Sequence, residues 1–519
     1  MTTSSQHEVP VPWVSKEVRH GHMLDEIGST GFVDRVFADF RERRPALLID
    51  NDWVTAESGE TAGTFDPSTG MTIGQFAMAS VADVDRAIRS ADAAQPAWAA
   101  LTMDERAQYI AALATRIEER GTVLATADAI NAGLPVARML NDIDGIVRVL
   151  RAWPAMASTL RGQVLEGIPG LHYTRYLPYG VVARIVAFNH PILFAVKGSL
   201  AALVAGNTVV LKPADQTPLS ALILGDLIRE VFPPGVFNVV TGDGRTGEAM
   251  VSHPLVRRVA FTGSVSTGRL IQATAAKDQV RNVSLELGGK NAMIVFPDVS
   301  IPDAARNAVF GMNLWANGGQ SCGSTSRLFV HEDIRKEFVE EISALLGKTR
   351  LGAAYRTDID MGPVISKAAA ARIRDFIRSG VDDGANLVTG GLDDPRVPAE
   401  GNFVAPTLFD DVPASSRIAH EEIFGPVVAV MSWNDVDSVI AAANGTDLGL
   451  TASVWTNDIT TALNTADRLE AGYVWVNEST THYFGMPFGG WKNSGIGREE
   501  SIEELWSYLQ LKSINVKLT

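Results

Sequence analysis

The sequence predicts an α/β protein: a doubly wound parallel-sheet domain, a second α/β domain and a small β arm. Three observations predict it. Strand-length apolar runs alternate with helix-length stretches from residue 181 to 242, as parallel units covered on both faces require. The same alternation resumes beyond Glu286. Between residues 160 and 179, by contrast, polar and aromatic residues alternate and are broken by Gly and Pro, which suits a hairpin projecting from the body.

In chain order, residues 1–45 are polar without a sustained period and read as an extended or weakly helical arm. Residues 81–101 and 103–121 space Ala, Ile, Leu and Trp by three and four with charges between, the pattern of core-facing helices. After the hairpin, 181–188 (VVARIVAF) reads as a strand, 199–206 as helix, 208–213 (TVVLKP) as a strand, 220–232 as a helix and 236–242 as a strand. In the second unit 292–296 (AMIVF) reads as a strand, 304–316 as a helix, 327–333 as a strand and 337–348 as a long helix. No repeat of solenoid or propeller length occurs.

Composition narrows the function classes. Sixty acidic against 45 basic residues give a net charge of −15, which argues against a nucleic-acid partner. The single cysteine, Cys322, forbids an intrachain disulfide and a cysteine-built zinc site, and fits a reducing compartment, the cytoplasm by default. Residues 1–14 lack the basic and apolar regions of an export signal. The longest apolar stretches are cut at Gly206 and Asn207, far short of the ~18 residues of a membrane span, so no membrane partner is expected. His20 and His22 are too isolated for a metal site, and no metal is expected.

Two short patterns bear on chemistry. Residues 242–247 satisfy G-x-G-x-x-G after a strand and before a helix, which fits either a dinucleotide turn or a plain strand-to-helix turn. Residues 319–323 match G-x-S-x-G, with Ser321 as the hydrolase serine, but that motif needs a preceding strand and the text before it reads as a helix ending in Gly-Gly. Cys322 sits among Gly, Gln and Ser, the polar, partly open setting in which a thiolate nucleophile works.

Seven blocks, FNHP at 188–191, LKPADQTP at 211–218, FTGS at 261–264, LELGGK at 285–290, GQSC at 319–322, EEIFGPV at 421–427 and PFGGWKNSGIGRE at 487–499, resemble the non-acylating, NAD(P)-dependent aldehyde dehydrogenase superfamily from about Ala46 onward. The resemblance implies that Cys322 attacks the aldehyde carbonyl and that Asn189, with the Cys322 N–H, holds the resulting oxyanion. Glu286 is then the base for water that hydrolyses the thioester; acylating members lack it. On the cofactor side it implies Gly263 and Ser264 at the pyrophosphate, Lys212 and Asp215 at the adenosine ribose, and Glu422 at the nicotinamide ribose. Phe424 would position the nicotinamide ring, and Phe188 and Gly244 are also expected to bind the cofactor. An acid at 215 would repel a 2′-phosphate, so NAD is expected, with NADP as the alternative.

Departures from the family pattern bear on the substrate. His190 stands where many members have an aromatic residue and reads either as a tunnel residue or as a packed histidine. Lys197 stands near a position that is commonly aromatic, with the family's lysine beside it. With Phe194, Trp315, His482, Tyr483 and Phe484 these residues imply a mostly aromatic tunnel and an aromatic or medium-chain apolar aldehyde. The alternative is a semialdehyde whose carboxylate pairs with Lys197 or His482. The implied organisation is an N-terminal arm (1–45), a Rossmann-type NAD-binding domain (46–158 and 179–289), a catalytic domain (290–490), and an oligomerisation arm (159–178 and 491–519) building a homodimer or homotetramer. Two rival readings stay open at this point: a Ser321 or Cys322 esterase, and a silent scaffold that binds cofactor without turnover.

Overall fold

The computed structural model describes residues 16–518. Two large sheets carry the fold. The first has eight strands in the order Asp52–Val54, Leu47–Ile49, Phe237–Val239, Thr208–Lys212, Val181–Ile185, Val256–Thr262, Asn282–Glu286 and Gly495–Ile496. Its middle strands are parallel, with Val182 beside Val209 and Val259 beside Val283. Their interior positions are largely apolar because both faces are covered: Val182, Val209 and Ala260 enter one core, while Val181, Val210 and Phe261 enter the other. The second sheet runs Asn386–Thr389, Thr407–Asp410, Val427–Trp433, Arg327–His331, Ala292–Val295, Thr451–Trp455 and Tyr473–Val476. It divides in the same way, with Ile294 on one face and Met293 and Val295 on the other.

The alternating elements expected from the sequence are present, with three differences. The part of the arm that is described is helical and packed, not loose. Phe32–Glu42 buries Phe32, Val36 and Phe40, residues four apart on one face, and Lys16–Gly28 is tied to Asp144 by Arg19 and by His20 Nε2 at 2.8 Å. Residues 1–15 of the arm lie outside the described residues. The helix expected over 304–316 breaks after Ile301–Gly311, because Asn313 adopts a left-handed φ of 56° before the short turn Leu314–Asn317.

The expected hairpin at 160–179 pairs only Val164–Leu165 with Leu171–Pro178, and the longer strand's main partner is Leu509–Val516. Of the arm segment expected over 491–519, only that last strand joins the three-stranded arm sheet. Gly495–Ile496 instead pairs with Leu285 and Glu286 on the first large sheet. No helix among the described residues is long and apolar enough to cross a membrane.

Candidate active site

A cavity of about 780 Å³ opens at the carboxyl ends of the parallel strands, where open α/β sheets bind ligands. Lys212 ends one strand; its buried ammonium donates to the Pro213 carbonyl at 3.2 Å, and burial pushes its pKa down against the pull of Asp215 and Asp243. Asp243 caps Gly244–Ser252, and Gly242 is required before it: a Cβ there would lie 2.0 Å from Thr246 Oγ1. Ser264 caps Val265–Ala276 by accepting from the Thr267 N–H, and this first turn opens on the cavity at Ser264 and Thr267. Phe188 and Phe424 meet edge to face at 5.7 Å, with Phe424 in the left-handed region at φ 54°. All eight residues expected on the cofactor side, Phe188, Lys212, Asp215, Gly244, Gly263, Ser264, Glu422 and Phe424, line this one cavity.

Asn189, Glu286 and Cys322 line it as well. Cys322 lies in the loop after Leu314–Asn317, with Gly318 and Gly319 left-handed (φ 63° and 73°) and no strand before it, so Ser321 is not on a nucleophile elbow. Asn291, which the sequence reading passed over, grips that loop. Its Nδ2 donates to the Cys322 carbonyl at 2.7 Å and the Ser324 carbonyl at 2.9 Å, while its Oδ1 accepts from the Thr451 N–H. Cys322 also packs against Leu450, Tyr473, Trp475 and Phe488. Burial, with Glu422 and then Glu286 adding repulsion, pushes its thiol up to about 12, so the resting sulfur is protonated.

Glu286 is buried at its strand end, and neither carboxyl oxygen has a hydrogen-bond partner. Burial, reinforced by Glu499, holds its pKa well above the carboxylate range. Glu499 in turn accepts from Arg184 Nη1 at 2.9 Å, and Arg184 Nη2 donates to Thr262 Oγ1 at 3.1 Å. Glu422 Oε1 accepts from the Gly289 N–H at 2.9 Å. Among the described residues no group of three or more His, Cys, Asp and Glu is placed to hold a metal ion.

None of the residues expected at the substrate lines the cofactor cavity. His190, the cap of the helix Pro191–Val204, lies on one partly open side with Leu193, Phe194 and Lys197 of that helix. His190 bonds Asp142 Oδ2 at 2.7 Å and Asn317 Nδ2 at 3.2 Å; burial is outweighed by Asp142, and its pKa rises. Lys197 Nζ donates to Glu500 Oε1 at 2.7 Å, and His482 Nδ1 bonds Glu500 Oε2 at 3.0 Å.

Gly198, next to Lys197, leaves room that Arg184 fills: a Cβ on Gly198 would lie 2.1 Å from Arg184 Nη2. Phe484 packs edge-on against Trp153. Trp315 and Tyr483 are corrected away from this group. The turn at Asn313 sends Trp315 against Phe310 with its N–H on Thr349, and Tyr483, half exposed, donates to Glu478.

The aldehyde dehydrogenase family profile matches residues 53–514. A relative from Talaromyces stipitatus, aldehyde dehydrogenase tropH, is 44% identical over 91% of this chain and 93% of its own. The hydroxyisobutyraldehyde dehydrogenase of Mycolicibacterium austroafricanum is 40% identical over 93% and 95%. The solved NAD+ complex of an aldehyde dehydrogenase from Bacillus cereus superimposes with a TM-score of 0.90 at 37% identity, covering 93% of this chain and 98% of that one.

Proposed function

The chain belongs to the aldehyde dehydrogenase family, and from that premise we propose that it oxidises an aldehyde to the carboxylic acid with NAD, through Cys322, Asn189 and Glu286. One observation carries the reading: these three residues and the eight cofactor-side residues face a single cavity. The cavity fits a dinucleotide. Gly288 leaves room that a side chain would fill, since a Cβ there would meet Glu422 Oε2 at 2.2 Å. The N–H groups at the Ser264 cap suit a pyrophosphate, and Lys212, Glu422 and Phe424 would hold the riboses and the ring. Asp215 and Asp243 on the same wall favour free ribose hydroxyls over a 2′-phosphate, hence NAD over NADP.

Cys322 must lose its proton to act, after which the sulfur attacks the carbonyl carbon. A C–S bond forms and the carbonyl pair moves to oxygen, where the Asn189 amide and the Cys322 N–H stabilise it. NAD, when bound, supplies the hydride acceptor. The thioester left on Cys322 is hydrolysed by water whose proton passes to the Glu286 carboxylate, and cleavage of the C–S bond frees the acid and the thiolate. Burial favours the protonated form of Glu286, whereas its work as a base requires the carboxylate. The Arg184–Glu499 pair beside it lies within electrostatic reach.

The substrate class is an aromatic or medium-chain aldehyde, received between Phe194 and the Tyr473–Phe488 rings against which Cys322 packs. The rival class, a semialdehyde held by Lys197, is disfavoured because Glu500 already takes up the Lys197 charge. Residues 46–158 and 179–289 carry the cofactor and 290–490 the nucleophile. Strands Leu171–Pro178 and Leu509–Val516 expose Leu171, Leu511 and Val516 for a homodimer or homotetramer, with the cytoplasm as the working compartment. The test is NADH formation at 340 nm against benzaldehydes, straight-chain aldehydes and semialdehydes, with NADP in parallel. Turnover that is lost in Cys322→Ala supports the reading. NAD binding without turnover on any aldehyde refutes it, and ester cleavage without NAD would favour a hydrolase.

A further inference from the structure

The wall next to Cys322 holds a charged group that the oxidation itself does not use. His482 lies against the aromatic cluster on which Cys322 packs: its ring centre is 4.6 Å from that of Phe488, and it stacks on Tyr473 at 5.9 Å. It and Lys197, 285 positions apart in the chain, meet on the two oxygens of one carboxylate, Glu500. That carboxylate is aimed by a left-handed backbone at Glu500, φ 67°, a strained conformation for a residue with a side chain. Glu500 is nearly buried, whereas the Lys197 and His482 side chains stay 22% and 37% exposed.

The chemistry of the three groups fixes what they offer. A carboxylate only accepts, so His482 Nδ1 carries the proton of that bond, and in the neutral ring Nε2 is a lone-pair acceptor. Lys197 has three N–H donors and gives one to Glu500. Glu500 balances the Lys197 charge, and with a neutral His482 ring the wall presents a donor and an acceptor side by side.

We propose that Lys197, Glu500 and His482 form a head-group site for a hydroxyl carried by the aldehyde substrate, the hydroxyl oxygen accepting from Lys197 and its hydrogen donated to His482 Nε2. The site rests on the reading of Cys322 as the nucleophile and names the substrate class within it: hydroxylated aldehydes, not semialdehydes. A substrate carboxylate would find the Lys197 charge already cancelled and would face the Nε2 lone pair. An unsubstituted aldehyde would leave the donor and acceptor unmatched once water is displaced, which is how a polar wall discriminates.

The experiment compares kcat/KM, with NAD, for benzaldehyde, 3- and 4-hydroxybenzaldehyde and 4-carboxybenzaldehyde, and for hexanal, 6-hydroxyhexanal and the matching semialdehyde. In at least one series the hydroxylated member should exceed its parent about ten- to a hundredfold, and the carboxylate should fall below the parent. His482→Phe should bring the hydroxyl-to-parent ratio to about one. Glu500→Gln leaves Lys197 unneutralised and should raise the carboxylate member at least tenfold relative to the hydroxylated one. Hydroxyl-to-parent ratios near one in both series, or a wild-type preference for the carboxylates, overturn the proposal without recourse to any variant. NADH from the parent aldehydes in that case leaves aldehyde oxidation standing. No NADH from any member of either series overturns aldehyde oxidation and the head-group site together.

Discussion

Replacing Gly288 by alanine should weaken NAD binding while the chain stays folded. The backbone of Gly288 lies outside the left-handed region, so the added methyl is the whole perturbation. A Cβ there would stand 2.2 Å from Glu422 Oε2 and 2.7 Å from its Cδ and Oε1, so the carboxyl group must move. It is not free to do so, being half-buried and held through Oε1 by the Gly289 N–H at 2.9 Å. Breaking a hydrogen bond to a charged acceptor costs about 1.5–3 kcal/mol. The displaced carboxylate is also lost to the cofactor, so the expected rise in the NAD Kd is roughly ten- to a hundredfold. Titration calorimetry measures it, with a thermal melt as the control for folding. A Gly288→Ala protein that melts like wild type and binds NAD within about twofold would refute the assignment of Glu422 to the cofactor.

Asn189→Ala should lower kcat about 10²- to 10³-fold with the NAD Kd unchanged, and a loss below tenfold in steady-state kinetics would remove Asn189 from the oxyanion site. Asn291→Ala strips donors from the Cys322 and Ser324 carbonyls and an acceptor from the Thr451 N–H. A urea melt should show a loss of about 2–4 kcal/mol, with a fall in kcat as the Cys322 loop loosens. Asp128, fully buried, accepts from the Ile192 N–H just beyond Asn189 and His190, and burial pushes it up from 3.8 to about 7. Because the folded state then holds a proton that the unfolded chain releases above pH ~4, this group's contribution is fully present in acid and is lost as pH climbs towards 7, on the order of 4 kcal/mol in all. Asp128→Asn should therefore melt above wild type at pH 8, with the gap closing towards pH 5. A gap that is constant with pH would contradict the buried-acid reading.

Much of this was legible in the sequence for physical reasons. Strands covered on both faces carry near-continuous apolar runs, and Val181, Val182, Val209 and Val210 divide between two cores in the way those runs imply. The cofactor and nucleophile motifs were legible because each is a short backbone turn built for one contact, as Gly288 shows. The helix Phe32–Glu42 was hidden because its buried face is only Phe32, Val36 and Phe40 amid charges. Trp315 was misdirected by one left-handed residue, Asn313, which no periodicity reports. Asn291 gave no signal beyond standing after LELGGK. The substrate wall was the least legible part: Lys197 was flagged by its misfit, but its partner Glu500 lies 303 residues away, and the space over Gly198 is filled by Arg184, which arrives from the strand Val181–Ile185.

The most direct test of the central claim, a Cys322 thioester hydrolysed with the help of Glu286, uses the Glu286→Gln enzyme. It is mixed with NAD and an accepted aldehyde, quenched after one turnover and read by peptide fragmentation mass spectrometry. The account predicts one acyl group on Cys322 for each NADH released, accumulating because glutamine cannot take the proton from water. An acyl group on Ser321, or continued NADH formation at the wild-type rate with no adduct, would contradict it.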